Sequence, residues 1–173
     1  MPLERIVSGG QTGVDRGALD AALAARFPCG GWCPAGRRAE DGTIPADYPL
    51  TTLPRRDYRT RTRRNVLDSD GTVILRHGVL QGGTALTQRY CDELRRPCLT
   101  VDAEAQDVEA AVRLLSRFVE RWAIRVLNVA GPRASKWGGA HAYAQAVVAA
   151  LICSAAQSNA ANQAAPKKGG AEQ

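Results

Sequence analysis

The feature that most constrains this chain is its alternation of short apolar runs with stretches of helical period. Arg5-Ile6-Val7-Ser8, Thr72-Val73-Ile74-Leu75, Cys98 to Val101 and Val126-Leu127-Asn128-Val129 read as strands, the second introduced by the turn residues Asp68-Ser69-Asp70-Gly71. Continuous apolar runs of this length suit strands buried on both faces. Each leads into a helical pattern. Val14, Ala18, Ala22 and Ala25 form one stripe, with Leu19 and Leu23 beside it and Pro28 as its stop. Leu86, Tyr90 and Leu94 repeat at four-residue spacing until Pro97. Asp107 is placed as an N-cap for Val108, Val112, Leu115, Val119 and Trp122. The last helix spans about Gly139 to Cys153, with Tyr143, Val147 and Ala150 inward. Strands joined by helices pair in parallel, so the fold class is α/β: one Rossmann-like domain over 1–153, its sheet covered by helices on both faces. Beyond Ser154 the sequence loses all period, and 154–173 is expected to be a disordered tail.

At 173 residues, with 45% hydrophobic and 23% charged, the chain has the composition of an ordinary globular domain. Its apolar runs, such as Val147 to Cys153, fall short of the ~20 residues a membrane span needs. No charged-then-apolar leader opens it, which predicts a cytoplasmic protein without membrane association. The five cysteines are odd in number and irregular in spacing, which argues against a disulfide framework. Cys29 and Cys33 lack the further ligands a structural zinc site requires, so no protein-held metal is expected. The net charge of +6 points to an anionic partner, while the 5% aromatic content gives no stacking platform for single-stranded nucleic acid.

In open α/β sheets, ligands bind beyond the carboxyl ends of the strands. The first strand ends in Ser8-Gly9-Gly10-Gln11-Thr12-Gly13-Val14-Asp15, glycines leading straight into a helix start whose free amides suit an anion. This phosphate-binding loop is neither G-x-G-x-x-G nor a P-loop. Gly82-Gly83-Thr84 opens a second helix after the second strand, and Ala130-Gly131-Pro132-Arg133 follows the last. The three loops together mark one crevice. Between Cys29 and Asn65 lies a segment read as a long loop punctuated by Pro34, Pro45, Pro49 and Pro54. Residues 37 to 64 hold eight arginines against four acids, two thirds of the chain's net charge. Arginine suits bidentate oxyanion recognition, and no helix-turn-helix, RNP or zinc-finger pattern accompanies it. A clamp on a small phosphorylated ligand is therefore favoured over nucleic acid.

Catalysis has less support. Ser8 lies in Ser-Gly-Gly rather than Gly-x-Ser-x-Gly. His77 follows a strand toward the crevice and His141 is expected on a helix surface, neither with a visible nucleophile. Asp15, Glu40 and Asp41 are the candidate acids or bases, although Asp15 can equally pair near its helix start and Glu40/Asp41 can answer Arg37/Arg38.

Taken in order, Ser8 to Arg16, Gly31-Trp32-Cys33-Pro34, Gly36-Arg37-Arg38-Ala39-Glu40-Asp41-Gly42, Arg61-Thr62, Asn65-Val66, Ser69-Asp70-Gly71-Thr72, Gly82-Gly83-Thr84 and Asn128 to Arg133 resemble a family named for molybdenum carriers. That family is a circularly permuted YpsA-like branch of the SLOG superfamily, related to the lysine-decarboxylase-like phosphoribohydrolases. The resemblance spans residues 4 to 152. It implies a Rossmannoid sheet holding a pterin-phosphate or nucleotide-like ligand, the molybdenum cofactor (molybdopterin) being the named candidate. The metal of that cofactor is held by the pterin's own sulfurs. It also implies a homo-oligomer. On this reading the amides of Gly9, Gly10, Gln11, Thr12 and Gly13 and of Gly82, Gly83 and Thr84 hold the phosphate. Arg37, Arg38 and Arg61 neutralise it, and Gly131 and Pro132 complete the wall. The related hydrolases carry a glutamate just after their second glycine-threonine loop, whereas Ala85-Leu86-Thr87-Gln88 here holds no acid. A carrier or binding protein is thus placed ahead of a nucleotide hydrolase (an N-glycosidase) or a nucleotide-sensing module.

Overall fold

The computed structural model describes residues 1–164. Its centre is a parallel sheet of β1 (Arg5–Val7), β2 (Cys29–Gly30), β7 (Gly71–Arg76), β8 (Cys98–Asp102) and β9 (Val126–Ala130), in the order β2-β1-β9-β7-β8. Short paired strands β3 (Trp32–Cys33) with β6 (Thr51–Thr52), and β4 (Arg38–Ala39) with β5 (Gly42–Thr43), lie outside it. The helices are α1 (Val14–Ala24), α2 (Tyr58–Leu67), α3 (Gly82–Glu93), α4 (Val108–Arg121) and α5 (Ala140–Ala164). α5 packs between α1 and α4, while α2 packs on α3. The chain moves one way along the sheet from β1 to β2 and the other way from β7 to β8. With right-handed crossovers this puts α1 and α3 on opposite faces. The architecture is Rossmann-like α/β.

Burial follows the strand runs. Val73 and Leu75 of β7, and Leu127 and Val129 of β9, are fully buried in the main core with Ile6, Val14, Leu115, Val147 and Leu151, and Ile74 is fully buried on the other face of the sheet. β8 is the edge strand, where only Val101 of five residues is buried. Register pairs Arg5 to Val7 with Val126 to Asn128, and Gly71 to Ile74 with Leu127 to Ala130. The carboxyl ends of β1, β9 and β7 therefore open on the same side.

Several expectations need correction. The segment from Cys29 to Asn65 is not a structureless loop. It carries two-residue strands and most of α2, whose start Asp57 caps by accepting from the Arg59 and Thr60 amides at 2.9 and 3.2 Å. It also builds a small core of its own, with Cys33, Ile44 and Leu50 gathered on Leu19 of α1. On α3, which packs on α2 and β7, the buried residues are Thr84, Thr87 and Cys91, with Leu86 and Tyr90 half-buried beside them. α1 ends at Ala24 with Leu23 and Ala25 exposed. Arg26 takes a left-handed turn (φ 51°) and Phe27 donates back to Ala22, so the helix closes before Pro28. Trp122 caps α4 and is 52% exposed rather than inward. α5 presents Ala144, Val147, Val148 and Leu151 to the core, with Tyr143 and Ala150 at its flanks. It also runs past Ser154 to Ala164, burying Ala155, because an alanine-rich run extends a helix without needing an amphipathic stripe. The expected tail thus does not begin at 154, and 165–173 lie outside the described residues. Among the described residues no helix is long and apolar enough to cross a membrane.

Candidate functional site

The first glycine loop is held from within. Ser8, fully buried at the end of β1, donates its hydroxyl to the Val129 carbonyl at 2.6 Å and ties β1 to β9. Gly13 (φ 78°) turns the chain into α1, and a side chain there would strike the Pro132–Ala134 backbone. The Gln11 amide donates to Asp15 Oδ2 at 3.2 Å, the Thr12 amide to the Gln11 side-chain carbonyl at 3.0 Å, and the Val14 amide to the Pro132 carbonyl at 3.1 Å. Of the amides expected to cradle a phosphate, those of Gln11 and Thr12 thus already hold protein acceptors. One of these acceptors, Asp15, is a carboxylate in the first turn of α1, the anion that the positive helix end attracts. A methyl on Gly9 would overlap the Arg61 guanidinium and approach Asp15, so Gly9 is the floor beneath that pair.

Beyond the ends of β1, β7 and β9 lies a cavity of about 630 Å³, within the range of small-molecule sites. The loops after those strands, α2 and the start of α3 enclose it. Of the anticipated residues, Gln11, Asp15, Glu40, Arg61, Gly82, Gly83, Thr84, Gly131 and Pro132 line it, as does His77. Gly9, Gly10, Thr12, Gly13, Arg37, Arg38 and Asp41 do not. A side chain on Gly10 would meet Leu50 and Ile44, so that glycine serves the docking of the insert's core.

Arg37 corrects the clamp reading most directly. Its guanidinium donates to the carbonyls of Ile44 (3.0 Å), Leu50 (3.2 Å), Pro45 (2.6 Å) and Tyr48 (2.9 Å). A five-donor fork is what four converging carbonyls require, and it organises the insert instead of facing a ligand. Arg38 is exposed on β4, away from the cavity. Arg61 does face it. Its Nη1 is 3.0 Å from Asp15 Oδ2, and its Nε is buried with no hydrogen-bond partner.

The three candidate acids differ sharply. Burial pushes the Asp15 carboxyl above the usual range, against the opposing pull of Arg61 and the Gln11 amide. Glu40 joins two loops: it accepts from the Thr12 hydroxyl and from the Ser135 amide (3.1 Å) and hydroxyl (2.5 Å), and pairs with Arg133 at 3.3 Å. Burial raises its carboxyl, but the Ser135 and Thr12 hydrogen bonds outweigh that and hold it low. Asp41 takes both arms of Arg16 at 2.5 and 2.8 Å, and this hydrogen bonding holds it low as well. Glu40 and Asp41 are therefore ionised struts. Asp15 alone combines a cavity position with a raised carboxyl.

Sequence reasoning missed Arg76, Lys136, Tyr58, Asn65 and Asn128 on the wall. Arg76 ends β7 and pairs with Asp102 at 2.8 Å. Four cations (Arg61, Arg76, Arg133, Lys136) thus face two carboxylates (Asp15, Glu40). Among the described residues the Lys136 ammonium has no acceptor, nor do the amides of Gly82 and Gly83 in the first turn of α3, where Gln81 supplies no side-chain cap. Both glycines face open space. The start of α3 thus keeps free amides of the kind an anion takes. Tyr58 and Val79, 44% and 80% exposed, put apolar surface at the mouth. His77 stacks on Trp137 with ring centroids 5.3 Å apart and faces Glu104 at 3.4 Å. His141 is remote: on α5, it meets Asp20 at 2.6 Å, and Asp20 also accepts from the Tyr48 hydroxyl at 2.8 Å. No cluster of three metal-ligating side chains occurs among the described residues.

Comparison with known proteins places this geometry. Among curated proteins no match was found. The 1.45 Å crystal structure of a "putative molybdenum carrier protein" from Syntrophus aciditrophicus SB superposes with a TM-score of 0.85 at 43% identity, covering 87% of this chain and 96% of that one. The model of the circularly permuted YpsA SLOG family matches residues 6–152, nearly the whole span that builds the sheet and the cavity. The chain belongs to the circularly permuted YpsA SLOG family.

Proposed function

We propose that the protein binds and carries a phosphorylated pterin or nucleotide-like small molecule, the molybdenum cofactor being the first candidate, in the cavity at the carboxyl ends of β1, β7 and β9. The observation that carries this reading is the set of unused donors on the cavity wall, the Gly82 and Gly83 amides and the Lys136 ammonium, with the Arg61 guanidinium beside them. A dianionic phosphate at the start of α3 would use the free amides and the positive helix end, with Lys136 and Arg61 on the same wall to offset its charge. Tyr58, Val79 and Leu86 offer apolar surface for a planar ring system beside it. The carrier designation of the Syntrophus structure adds weight on the side of pterin. The cofactor's metal would stay with the ligand's own sulfurs, so these residues would only bind and orient it and keep water from it.

The test is direct. Purified protein is denatured and released small molecules are identified by mass spectrometry. In parallel, cofactor freed from a molybdoenzyme is followed for oxidation with and without the protein. Slower oxidation is expected with wild type and not with Lys136→Ala/Arg61→Ala. Gly83→Ala, whose methyl meets only open space, reports on the amide site without disturbing the fold. No protection together with no bound pterin or nucleotide refutes the reading. A second reading, N-glycosidic cleavage of a nucleotide, rests on Asp15, the one acid on the wall with a raised carboxyl. Free base released from nucleoside monophosphates, and lost in Asp15→Asn, would favour it.

A further inference from the structure

The arginines that do not enter the cavity form a second feature. Residues 55–64 hold six arginines and one acid. Arg61 pairs with Asp15, and Arg64 lies 3.7 Å from Asp68 with its guanidinium 4.9 Å over the Trp32 ring. Arg55, Arg56, Arg59 and Arg63 are exposed and make no ion pair among the described residues. Their nearest acid, Asp57, is occupied in capping α2. Arg59 and Arg63 stand one turn apart on the same side of α2, like charges that weaken a helix. α2 compensates little, since only Asn65 and Val66 are buried. Folding does not require this charge.

Its place explains it better. The side of α2 bearing Tyr58, Arg61, Thr62 and Asn65 forms a wall of the cavity, while Arg59 and Arg63 stand on the outer side of the helix and Arg55 and Arg56 on the chain leading into it. Beside them lie the exposed Tyr58 and Val79. Arginine and tyrosine around apolar surface are what central protein–protein contacts use, while lysine is depleted there, and none of the cations in 55–64 is lysine. A second copy of this chain docked through the same face would set arginine against arginine. Nucleic acid would call for a basic stripe following its backbone, whereas this patch is concentrated around a ten-residue helix, about 15 Å long.

We propose that the arginine face of α2, with Arg55, Arg56, Arg59 and Arg63, is the docking surface for an acidic protein partner. That this partner receives or delivers the bound molecule rests on the carrier reading; the docking itself does not. The experiment uses the full chain without added ligand. A labelled poly-glutamate peptide of about 20 residues, long enough to span α2 and its flanks, is titrated by fluorescence anisotropy at low and physiological salt. Binding should weaken with salt. It should fall about tenfold in Arg59→Glu/Arg63→Glu and stay near wild type in Arg117→Glu/Arg121→Glu, an equal charge change on α4 across the sheet. The neutral pair Arg59→Gln/Arg63→Gln, with its fold checked by circular dichroism, should show the same loss in smaller degree. Three results overturn the proposal: no binding of the peptide, equal losses in the two reversed pairs, or a thymidine oligonucleotide bound more tightly than the peptide through the same arginines. Cofactor protection measured on the same variants is independent, because none of these arginines lines the cavity.

Discussion

The Asp15–Arg61 pair offers the sharpest test of how the site is held. The two side chains are 8% and 15% exposed and 3.0 Å apart, so screening by water is small. Replacing Arg61 by Met keeps the length of the side chain and strands a buried carboxylate. Loss of one partner of a buried pair costs about 3–5 kcal/mol, and because Asp15 keeps the Gln11 amide the lower end, about 3 kcal/mol, is expected. For a chain of this size that lowers Tm by roughly 6–12 °C. Asp15→Asn leaves the guanidinium unpaired instead, at a similar cost. The double variant removes both charges and should fall short of the sum by about 2 kcal/mol. The pH dependence supplies a second reading. Burial already holds the Asp15 carboxyl above its unfolded value, so its stability contribution is full below the unfolded pKa and is lost as pH rises through the folded one. Without Arg61 the folded value rises further. The deficit of Arg61→Met must therefore shrink as pH falls through that window and widen toward neutrality. Thermal melts by circular dichroism across pH measure both quantities. Strict additivity of the two single variants, or a deficit that does not change with pH, would show that the pair is not coupled and that the reasoning is wrong.

Three further outcomes follow from the same geometry. Arg37→Lys keeps the charge but cannot satisfy four carbonyls in a plane, and urea unfolding should show a loss of about 1–3 kcal/mol, with cofactor binding retained in the folded fraction. Glu40 is held below its usual range by Ser135 and Thr12, so its contribution is present above the unfolded pKa and lost as pH falls through the folded value. Acid-side melts of Glu40→Gln should accordingly be flatter than wild type, and an unchanged slope counts against Glu40 as the strut between the loops. Ala155 is 1% exposed at a position first assigned to a tail, so Ala155→Asp should lower stability by about 2 kcal/mol or more, measured by urea titration.

What the sequence made legible tracks how much each feature depends on periodicity. β1, β7 and β9 fall within two residues of their apolar runs, because a strand buried on both faces has no reason to include polar positions. Parallel topology then brings their following loops to one side, which is why the crevice could be located from three glycine loops alone. α2 was hidden because its sequence has no apolar stripe: packing on α3 and the Asp57 cap define it. The role of each arginine was hidden for a different reason. Charge can be counted along a chain, but partners are set by the fold, and the same eight arginines divide into a carbonyl-binding hub at Arg37, a buried pair at Arg61, Arg64 held between Asp68 and Trp32, and five exposed and unpaired. The choice between the two glycine loops had a clue in the sequence all the same. Both open helices, but only the first carries a carboxylate, Asp15, in its opening turn, while α3 begins Gly82-Gly83-Thr84-Ala85 with no acid. A carboxylate in the first turn offsets the positive helix end, and a start without one leaves that field for a ligand. By that rule the missing acid after Gly83 favours binding of an anion, whatever it removes from the case for hydrolysis.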